Sequence, residues 1–171
     1  MRPTKPQLAI VGTGMSGLAC ADGLRQHFEI SLFDKSRGLS GRLSTRRGEA
    51  YVFDHGAQYF RAETKLFADW LESFESDGHL QLWTPRHVNF LSDGSYKAQS
   101  DPASKLVFVS GMSAIGKALL SNRPEWKLHL ECMVDLVTGH AGEMFLHCDE
   151  QSFGPFAHVV LAMPPRQVQS L

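Results

Sequence analysis

Short apolar runs and one helical stripe alternate along the first part of the chain. Residues 8–11 and 30–33 are largely apolar and short, which is typical of strands that are buried on both faces. Between these runs, four apolar residues recur at helical spacing: Leu18, Ala21, Leu24 and Phe28. The spacing predicts a helix over about residues 16–27, and the whole pattern predicts a strand, a crossover helix and a second, parallel strand.

The middle of the chain contains a second amphipathic stripe and a group of short strands. We expect the stripe to be a helix that packs against the sheet, with these side chains in the core: Leu66, Phe67, Trp70, Leu71 and Phe74. Residues 51–53, 80–83 and 88–91 predict short strands, the last two antiparallel. The change of character near Ser76 predicts an excursion into a second domain. Trp83 is either part of a substrate cavity there or part of the sheet packing.

The last third of the chain contains one more helix and several strands. The helix ends near Asn122 and is predicted by three apolar residues on one face: Ile115, Leu119 and Leu120. Strict alternation over residues 128–136 predicts the clearest strand of the chain, and residues 144–148 predict its hairpin partner. Residues 158–163 predict a last buried strand, which two prolines end.

A glycine motif joins the first predicted strand to the first predicted helix. Its spacing is G-x-G-x-x-G, formed by Gly12, Gly14 and Gly17, with Met15 and Ser16 in the last interval. In a dinucleotide-binding turn the first glycine permits a tight turn, the second lets the backbone approach a pyrophosphate, and the third lets the helix pack closely. The N–H groups at the start of the helix face the phosphate charge. The motif therefore predicts dinucleotide binding by these five residues.

Asp34 follows the second predicted strand, roughly twenty residues beyond the first glycine. An acid at this place accepts hydrogen bonds from the 2′- and 3′-hydroxyls of an adenosine ribose and repels a 2′-phosphate. A solvated aspartate at a strand end is the alternative. Because the glycine motif stands at the matching distance, we favour the ribose role.

Residues 35–47 interleave glycines with arginines and small hydroxyl residues, so they are too polar to form a core element. One interpretation is a mobile basic loop. The other, which we favour, is a loop that wraps a long cofactor with phosphate groups. A nicotinamide dinucleotide rarely needs such a loop, whereas the pyrophosphate and ribityl chain of FAD run past it. Gly41 and Arg42 are then predicted to bind this cofactor.

These features together resemble the flavin-containing amine oxidase superfamily and, within it, renalase and its bacterial relatives. The resemblance is carried by the glycine motif, Asp34-Lys35, Gly41-Arg42, Thr45 and the run Gly56-Ala57-Gln58-Tyr59. The family usually has a pair of glycines before the arginine, and in this chain Ser40 stands in place of the first of them.

The resemblance implies roles for several further residues. Gln58 and Tyr59 line the isoalloxazine region, where an amide can hydrogen-bond a ring edge and an aromatic side chain can lie near it. Lys35 belongs to the matching pattern beside the ribose acid, and backbone groups near Val134 contact the adenine. His55 is either a base or, in the interpretation that we favour, a structural histidine of the loop.

The predicted fold class is α/β. It is a Rossmann-like FAD- or NAD(P)-binding fold, with a β-α-β unit and a central parallel sheet, plus the start of an antiparallel substrate domain. We assign residues 1–76 and 104–171 to the FAD-binding domain and residues 77–103 to the excursion. Members of the resembled family are much longer than this chain. We therefore expect a fragment of a full enzyme, whose other half supplies most of the substrate domain and a second flavin contact.

Composition and charge exclude several classes of function. The 17 Lys and Arg residues balance the 18 Asp and Glu residues, so no basic field attracts nucleic acid or an acidic membrane surface. Glycines interrupt the first apolar run, which therefore predicts neither a signal peptide nor a membrane span. Three cysteines lack C-x-x-C spacing and indicate buried thiols in the cytoplasm: Cys20, Cys132 and Cys148. No motif predicts a metal site or a nucleophilic hydrolase.

The sequence thus predicts an FAD-dependent oxidoreductase in which the flavin does the redox chemistry, and no catalytic side chain is identified. The resemblance implies an oxidase that passes a hydride from a dihydronicotinamide dinucleotide isomer to FAD and then to molecular oxygen. A flavin-containing amine oxidase and a non-catalytic FAD-binding fragment are the alternatives. The extra Gly-Arg loop disfavours an NAD-dependent dehydrogenase, and the oligomeric state stays open.

Overall fold

The computed structural model describes residues 5–99 and 104–171, so the predicted boundary after residue 103 lies partly outside the described residues. The helices are α1 (Met15–Leu24), α2 (Lys65–Ser76), α3 (Ala114–Ser121) and α4 (Pro165–Val168), and a short 3-10 helix covers Gly41–Leu43. The strands are β1 (Gln7–Val11), β2 (Glu29–Phe33), β3 (Thr45–Arg47), β4 (Val52–Asp54), β5 (Leu80–Trp83), β6 (His87–Phe90), β7 (Tyr96–Gln99), β8 (Lys105–Phe108), β9 (Lys127–His129), β10 (Val134–His140), β11 (Glu143–Cys148), β12 (Gln151–Phe156) and β13 (His158–Leu161).

Parallel strands form the central sheet, in the order β13-β1-β2-β9. Along β1, Leu8 and Ile10 pack into one apolar cluster, whereas Ala9 and Val11 pack into another. Successive side chains of a strand point to opposite faces, so apolar side chains cover both faces of this sheet. The β-α-β unit and the central parallel sheet confirm the predicted Rossmann-like fold class.

The first two helices differ in detail from the pattern in the sequence. α1 ends at Leu24 rather than near His27, because the N–H groups of His27 and Phe28 both turn back onto the Leu24 carbonyl. In α2, Leu71 is buried as expected, but Leu66 is 83% exposed. The prediction that Leu66 belongs to the core is therefore wrong, because the first turn of α2 packs on the core through Phe67 and leaves Leu66 in solvent.

The alternating residues 128–136 do not form one strand, and this prediction is wrong. β9 belongs to the parallel sheet, whereas β10 belongs to an antiparallel sheet of order β10-β11-β12. Between them, Glu131 has a positive φ of 54°. Its N–H donates to the Ser36 carbonyl at 3.1 Å, and that of Cys132 donates to the Asp34 carbonyl at 3.0 Å. The link thus follows the end of β2 instead of continuing straight, and two strands in different sheets produce one alternating pattern.

Three short antiparallel pairs complete the described fold. The ribbon β3-β4 lies partly in the segment that the sequence assigns to a loop. β5 pairs with β8, and β6 pairs with β7, so the two strands predicted in the excursion do not pair with each other. The partners β7 and β8 were not predicted. Across the described residues, each helix is too short or too polar to traverse a bilayer.

Candidate functional site

The turn after β1 is closed by two glycines that no other residue can replace without displacing the backbone. Gly12 has a φ of +102°, its N–H donates to the Phe33 carbonyl at 2.8 Å, and a Cβ there would lie 2.5 Å from the carbonyl oxygen of Ala162. A Cβ on Gly17 would lie 1.9 Å from the Gly12 carbonyl oxygen. Close packing of β1, α1 and the chain after β13 therefore requires glycine at both positions.

Gly14 differs from these two glycines because nothing lies within 4 Å of the place that its Cβ would take. It is the N-cap of α1 and has an ordinary φ of −68°, with no side chain capping the helix. Met15 is half-buried and Ser16 is exposed in the first turn. Helices leave the first N–H groups without intrahelical acceptors, so the open space over Gly14 is where an anion can approach them.

Asp34 lies at the end of β2 and closes the other side of this turn. Its Oδ2 accepts hydrogen bonds from the N–H of Thr13 at 2.7 Å and from the Thr13 hydroxyl at 2.6 Å, and its Oδ1 accepts one from the N–H of Ser36 at 2.9 Å. Burial raises the pKa of this carboxyl, but the Thr13 and Ser36 bonds together outweigh burial, so the pKa lies below its ordinary value. Asp34 is half-buried, so its carboxylate stays within reach of a ligand.

The second loop lies directly against the glycine turn. Ser40 forms an isolated parallel bridge with Gly14, and its N–H donates to the Thr13 carbonyl at 2.8 Å. Gly41 has a φ of +50°, and a Cβ on it would lie 3.2 Å from the Gly14 Cα. We call residues 12–17 together with residues 40–42 the cradle. The two segments that the sequence assigned separately to a cofactor therefore form one continuous backbone surface.

Two basic side chains lie in or near the cradle. Lys35 and Arg42 are exposed, and neither side chain forms a hydrogen bond or ion pair with any described residue. The Arg42 carbonyl accepts from the N–H of Ala57 at 2.9 Å, and a Cβ on Gly56 would lie 2.0 Å from the Arg42 carbonyl oxygen. The backbone of Arg42 is therefore held by the segment that precedes Gln58, while its guanidinium stays available.

Gln58 and Tyr59 lie beyond this contact, on the side of β4 and β5. Gln58 is exposed, and with Trp83 it lines a cavity of about 300 Å³. The rings of Tyr59 and Trp83 have centroids 5.9 Å apart. Trp83 thus lines a cavity and also packs on Tyr59, and its role in binding a substrate stays a prediction. The other residues that line this cavity are Val52, Asp54, Gln81, Val107, Phe108, Val109 and Gly111.

Sequence reasoning missed a cationic cluster at Tyr59. The Lys105 ammonium and the Arg61 guanidinium lie 5.4 and 5.7 Å from the centroid of the Tyr59 ring, within cation-π range. Lys105 is 1% exposed, and its Nζ lies 3.0 Å from Nε2 of His87. The apolar residues that follow Lys105 are a signal that could have placed it in a strand, but nothing in the sequence indicates its burial.

Val134 is buried at the start of β10, opposite Cys148. The chain just before it is bonded to the backbone of Asp34 through Cys132, which brings the Val134 segment to the carboxyl end of β2. Cys132 and Cys148 are free thiols, and burial, together with the neighbouring Cys148, raises the pKa of Cys132 to about 12.

A larger cavity, of about 670 Å³, opens beside β9 and the turn between β11 and β12. No cradle residue and no residue predicted to bind the cofactor lines it. Its lining residues are Leu128, His129, Leu130, Glu131, Cys132, Cys148, Asp149, Glu150, Gln151 and Phe153. Size alone therefore does not mark the candidate site, which we place at the cradle.

Two other kinds of site could involve histidine: a base at His55 and a metal site. His55 is exposed, its N–H donates to the Ser44 carbonyl at 3.3 Å, and its ring lies 6.4 Å from that of Phe53. Such contacts are ordinary for a loop residue, so they favour the interpretation of His55 as a structural histidine of the loop. Within residues 5–99 and 104–171, no three His, Cys, Asp or Glu side chains are grouped so that they could hold a metal ion.

A known family model matches the part of the chain that contains the cradle. The family model of an NAD(P)-binding Rossmann-like domain matches residues 10–74. This range begins in β1, contains the glycine turn, Asp34 and the second loop, and ends in α2.

Solved structures share this fold over nearly the whole chain. A protein from Exiguobacterium sp. 255-15, assigned the activity of a protoporphyrinogen oxidase, has a TM-score of 0.75 and 14% identity, and the alignment covers 98% of this chain and 62% of that one. Wild-type putrescine oxidase has a TM-score of 0.75 and 14% identity, over 99% of this chain and 60% of that one. A fatty acid isomerase from P. acnes that produces CLA has a TM-score of 0.77 and 11% identity, over 96% and 60%.

At these identities the likeness shows the fold. This chain spans about 60% of the length of each of the three proteins.

Proposed function

We propose that this chain is the cofactor-binding part of an FAD-dependent oxidoreductase. The observation that carries the proposal is the contact of Gly41 with Gly14, which joins the glycine turn to the Gly-Arg loop in one cradle. A nicotinamide dinucleotide needs the turn but rarely the second loop, whereas the long diphosphate of FAD runs past both. The likeness to the fold of putrescine oxidase and of a protein assigned as protoporphyrinogen oxidase supports a cofactor of this kind.

The residues of the cradle fit the polar half of FAD. In the proposed complex, the first-turn N–H groups of α1 and the Arg42 guanidinium bind the pyrophosphate, because both offer hydrogen-bond donors with positive charge. The Asp34 carboxylate accepts hydrogen bonds from the adenosine ribose. Backbone groups near Val134 contact the adenine, and Lys35 lies beside the ribose. The open space over Gly14 is what a close diphosphate requires, since a Cβ would point into it.

On the other side of Arg42, Gln58 and Tyr59 are proposed to contact the ring system. FAD, when bound, supplies the redox chemistry by accepting a hydride. The chain itself holds and orients the ring system. The Gln58 amide can donate to a ring edge, and the Tyr59 ring is held in place by Trp83, Lys105 and Arg61. No acid or base from these residues is required for hydride transfer.

The finer proposal concerns the substrate. The sequence resemblance to renalase favours an oxidase that transfers a hydride from a dihydronicotinamide dinucleotide isomer by way of FAD to molecular oxygen. A small amine is the second candidate, which the structural likeness to putrescine oxidase favours. We also propose that residues 77–103 begin a substrate domain and that the protein acts in the cytoplasm, where its free thiols stay reduced.

The absorption spectrum of the purified chain tests the cofactor. We expect yellow protein with flavin bands, or colourless protein that gains them after incubation with FAD and gel filtration. A chain that retains NAD but no FAD contradicts the proposal.

Anaerobic mixing then tests the substrate. Bleaching of the flavin band by a dihydronicotinamide isomer supports the renalase-like activity, and bleaching by putrescine supports the amine oxidase. If dithionite bleaches the flavin but no substrate of either class does, the chain is a non-catalytic FAD-binding fragment.

A further inference from the structure

Ser40 occupies a backbone conformation in which glycine is the ordinary residue. Its φ is +80°, its solvent exposure is 0%, and it comes directly before Gly41 in the cradle. A non-glycine residue with positive φ is strained and persists where its surroundings hold it in place. The contacts that hold Ser40 therefore indicate what its side chain contributes.

The hydroxyl of Ser40 forms two hydrogen bonds with the start of α3. Its Oγ donates to the carbonyl of Ser113 at 2.9 Å and accepts from the N–H of Gly116 at 3.2 Å. Ser113 is the N-cap of α3, and its own side chain forms no capping hydrogen bond. An N-cap hydroxyl ordinarily accepts from the second or third N–H of its helix, and Gly116 is the third residue of α3. Ser40 thus caps α3 from a different part of the chain.

The fit between the cradle and α3 is also steric. A Cβ on Gly116 would lie 2.6 Å from the Ser40 Oγ and 2.6 Å from the Leu39 Cβ, so α3 approaches this loop as closely as a glycine allows. On its other side, the Ser40 N–H bonds the Thr13 carbonyl, and Thr13 in turn bonds Asp34. A chain of hydrogen bonds therefore runs from α3 through the cradle to the end of β2.

The same end of α3 also holds the ribbon that leads towards Gln58. The N–H of Ser113 donates to the Thr45 hydroxyl at 3.0 Å, and the N–H of Met112 donates to Oδ1 of Asp54 at 2.8 Å. Thr45 lies in β3 and Asp54 in β4. The start of α3 is thus a common support for the cradle and for the strands next to the proposed ring site.

We infer that Ser40 is a positioning residue, whose hydroxyl anchors the cradle to the start of α3 and so fixes Gly41 and Arg42 for binding the diphosphate. The inference rests on the proposed function, because it names what holds the diphosphate site in place. Without the hydroxyl, the backbone bonds of Ser40 to Thr13 and of Arg42 to Ala57 remain, so the Asp34 side is retained while residues 41 and 42 lose the support that α3 gives them.

The test is the affinity of the apo chain for FAD, ADP and adenosine, measured by calorimetry for wild type, Ser40→Gly and Ser40→Ala. Ser40→Gly suits the positive φ and keeps the fold, which separates the hydroxyl from backbone strain. We expect both variants to bind FAD and ADP about tenfold more weakly and adenosine within about twofold of wild type. Ser73→Ala, which changes an exposed serine of α2, is the matched control and keeps wild-type affinities.

A second readout does not depend on the ligand. Hydrogen exchange at the Gly116 amide reports the bond to Ser40, and we expect it to accelerate in both variants of Ser40. If Ser40→Gly binds ADP as tightly as wild type, or if its Gly116 exchange is unchanged, the inference is wrong although the proposed function stands. If wild type binds neither FAD nor ADP, the proposed function fails, and the positioning role fails with it.

Discussion

The two regions that the proposed cofactor contacts differ in how completely they are packed. In the cradle, Thr13 and Ser40 have 0% exposure, and each is bonded to neighbours within the chain. Around Gln58, by contrast, apolar side chains lie in solvent: Val52 is 58% exposed, Phe53 46% and Trp83 40%. The cradle is therefore shaped by this chain itself, whereas much of the apolar surface next to the proposed ring site is exposed to solvent.

Contacts within the chain support the roles of the cradle residues, but they do not support a role for Gln58. A Cβ at position 12, 17 or 41 would lie only 1.9 to 3.2 Å from a backbone atom, which explains the glycines there. No comparable constraint acts on Gln58, which is exposed, so its role rests on the resemblance. Substitutions in the cradle should accordingly change folding or cofactor affinity, and substitutions on the exposed apolar surface should change neither much.

Within the cradle, the largest effect on stability is expected from Gly17→Ala. Because its Cβ would lie 1.9 Å from the Gly12 carbonyl oxygen, α1 must move away from β1, and we expect a loss of about 3 kcal/mol in the free energy of unfolding. Gly14→Ala is the matched control, since its Cβ meets nothing within 4 Å. It should change stability by no more than about 0.5 kcal/mol and still weaken FAD binding. Urea unfolding of both variants checks this, and equal stabilities would contradict the packing argument.

Arg42→Ala should weaken FAD binding without affecting the fold. The guanidinium is exposed and unpaired among the described residues, so its loss removes only a charge-assisted bond to the pyrophosphate. We expect up to about 3 kcal/mol, or about 100-fold in Kd. Flavin stoichiometry after dialysis measures the effect. Arg37→Ala, in the same loop, is the control, and a similar loss in both variants would point to general charge instead of a specific contact.

Asp34→Asn should weaken FAD binding by about 1–3 kcal/mol at neutral pH. It should also make the free energy of unfolding depend less on pH in the acid range. The pKa of Asp34 lies below its ordinary value, so its carboxylate stabilises the fold fully above the unfolded pKa of about 3.9. That stabilisation is lost as the pH falls through the folded-state pKa. The stability difference between wild type and Asp34→Asn should therefore shrink as the pH falls below about 5. Urea titrations at several pH values measure it, and a constant difference refutes the role of the ionised form.

The smallest effect is expected on the exposed apolar surface. Phe53→Ser should change the free energy of unfolding by no more than about 0.5 kcal/mol, because the side chain is 46% exposed. Phe74→Ala, at 3% exposure, should cost about 3–5 kcal/mol in the same measurement. A large loss for Phe53→Ser would show that this surface is packed as tightly as the cradle.

Local patterns predicted those parts of the fold whose cause is local. The runs that became β1 and β2 and the stripe of α1 follow from burial on two faces and from helical spacing. The same reasoning failed for residues 128–136, because alternation records burial on one face without recording which sheet is involved. It also failed for Leu66, since two adjacent apolar residues of a helix need not both face the core, and in α2 it is Phe67 that does.

Spacing alone identified the candidate site, and only the folded chain joined its parts. The glycine motif, Asp34 and the Gly-Arg loop stand at positions that their chemistry dictates, so the sequence indicated each of them separately. The contact of Gly41 with Gly14, the capping of α3 by Ser40 and the burial of Lys105 connect residues that are far apart along the chain. Such contacts depend on how helices and loops pack, and backbone hydrogen bonds leave no mark in the identity of a side chain.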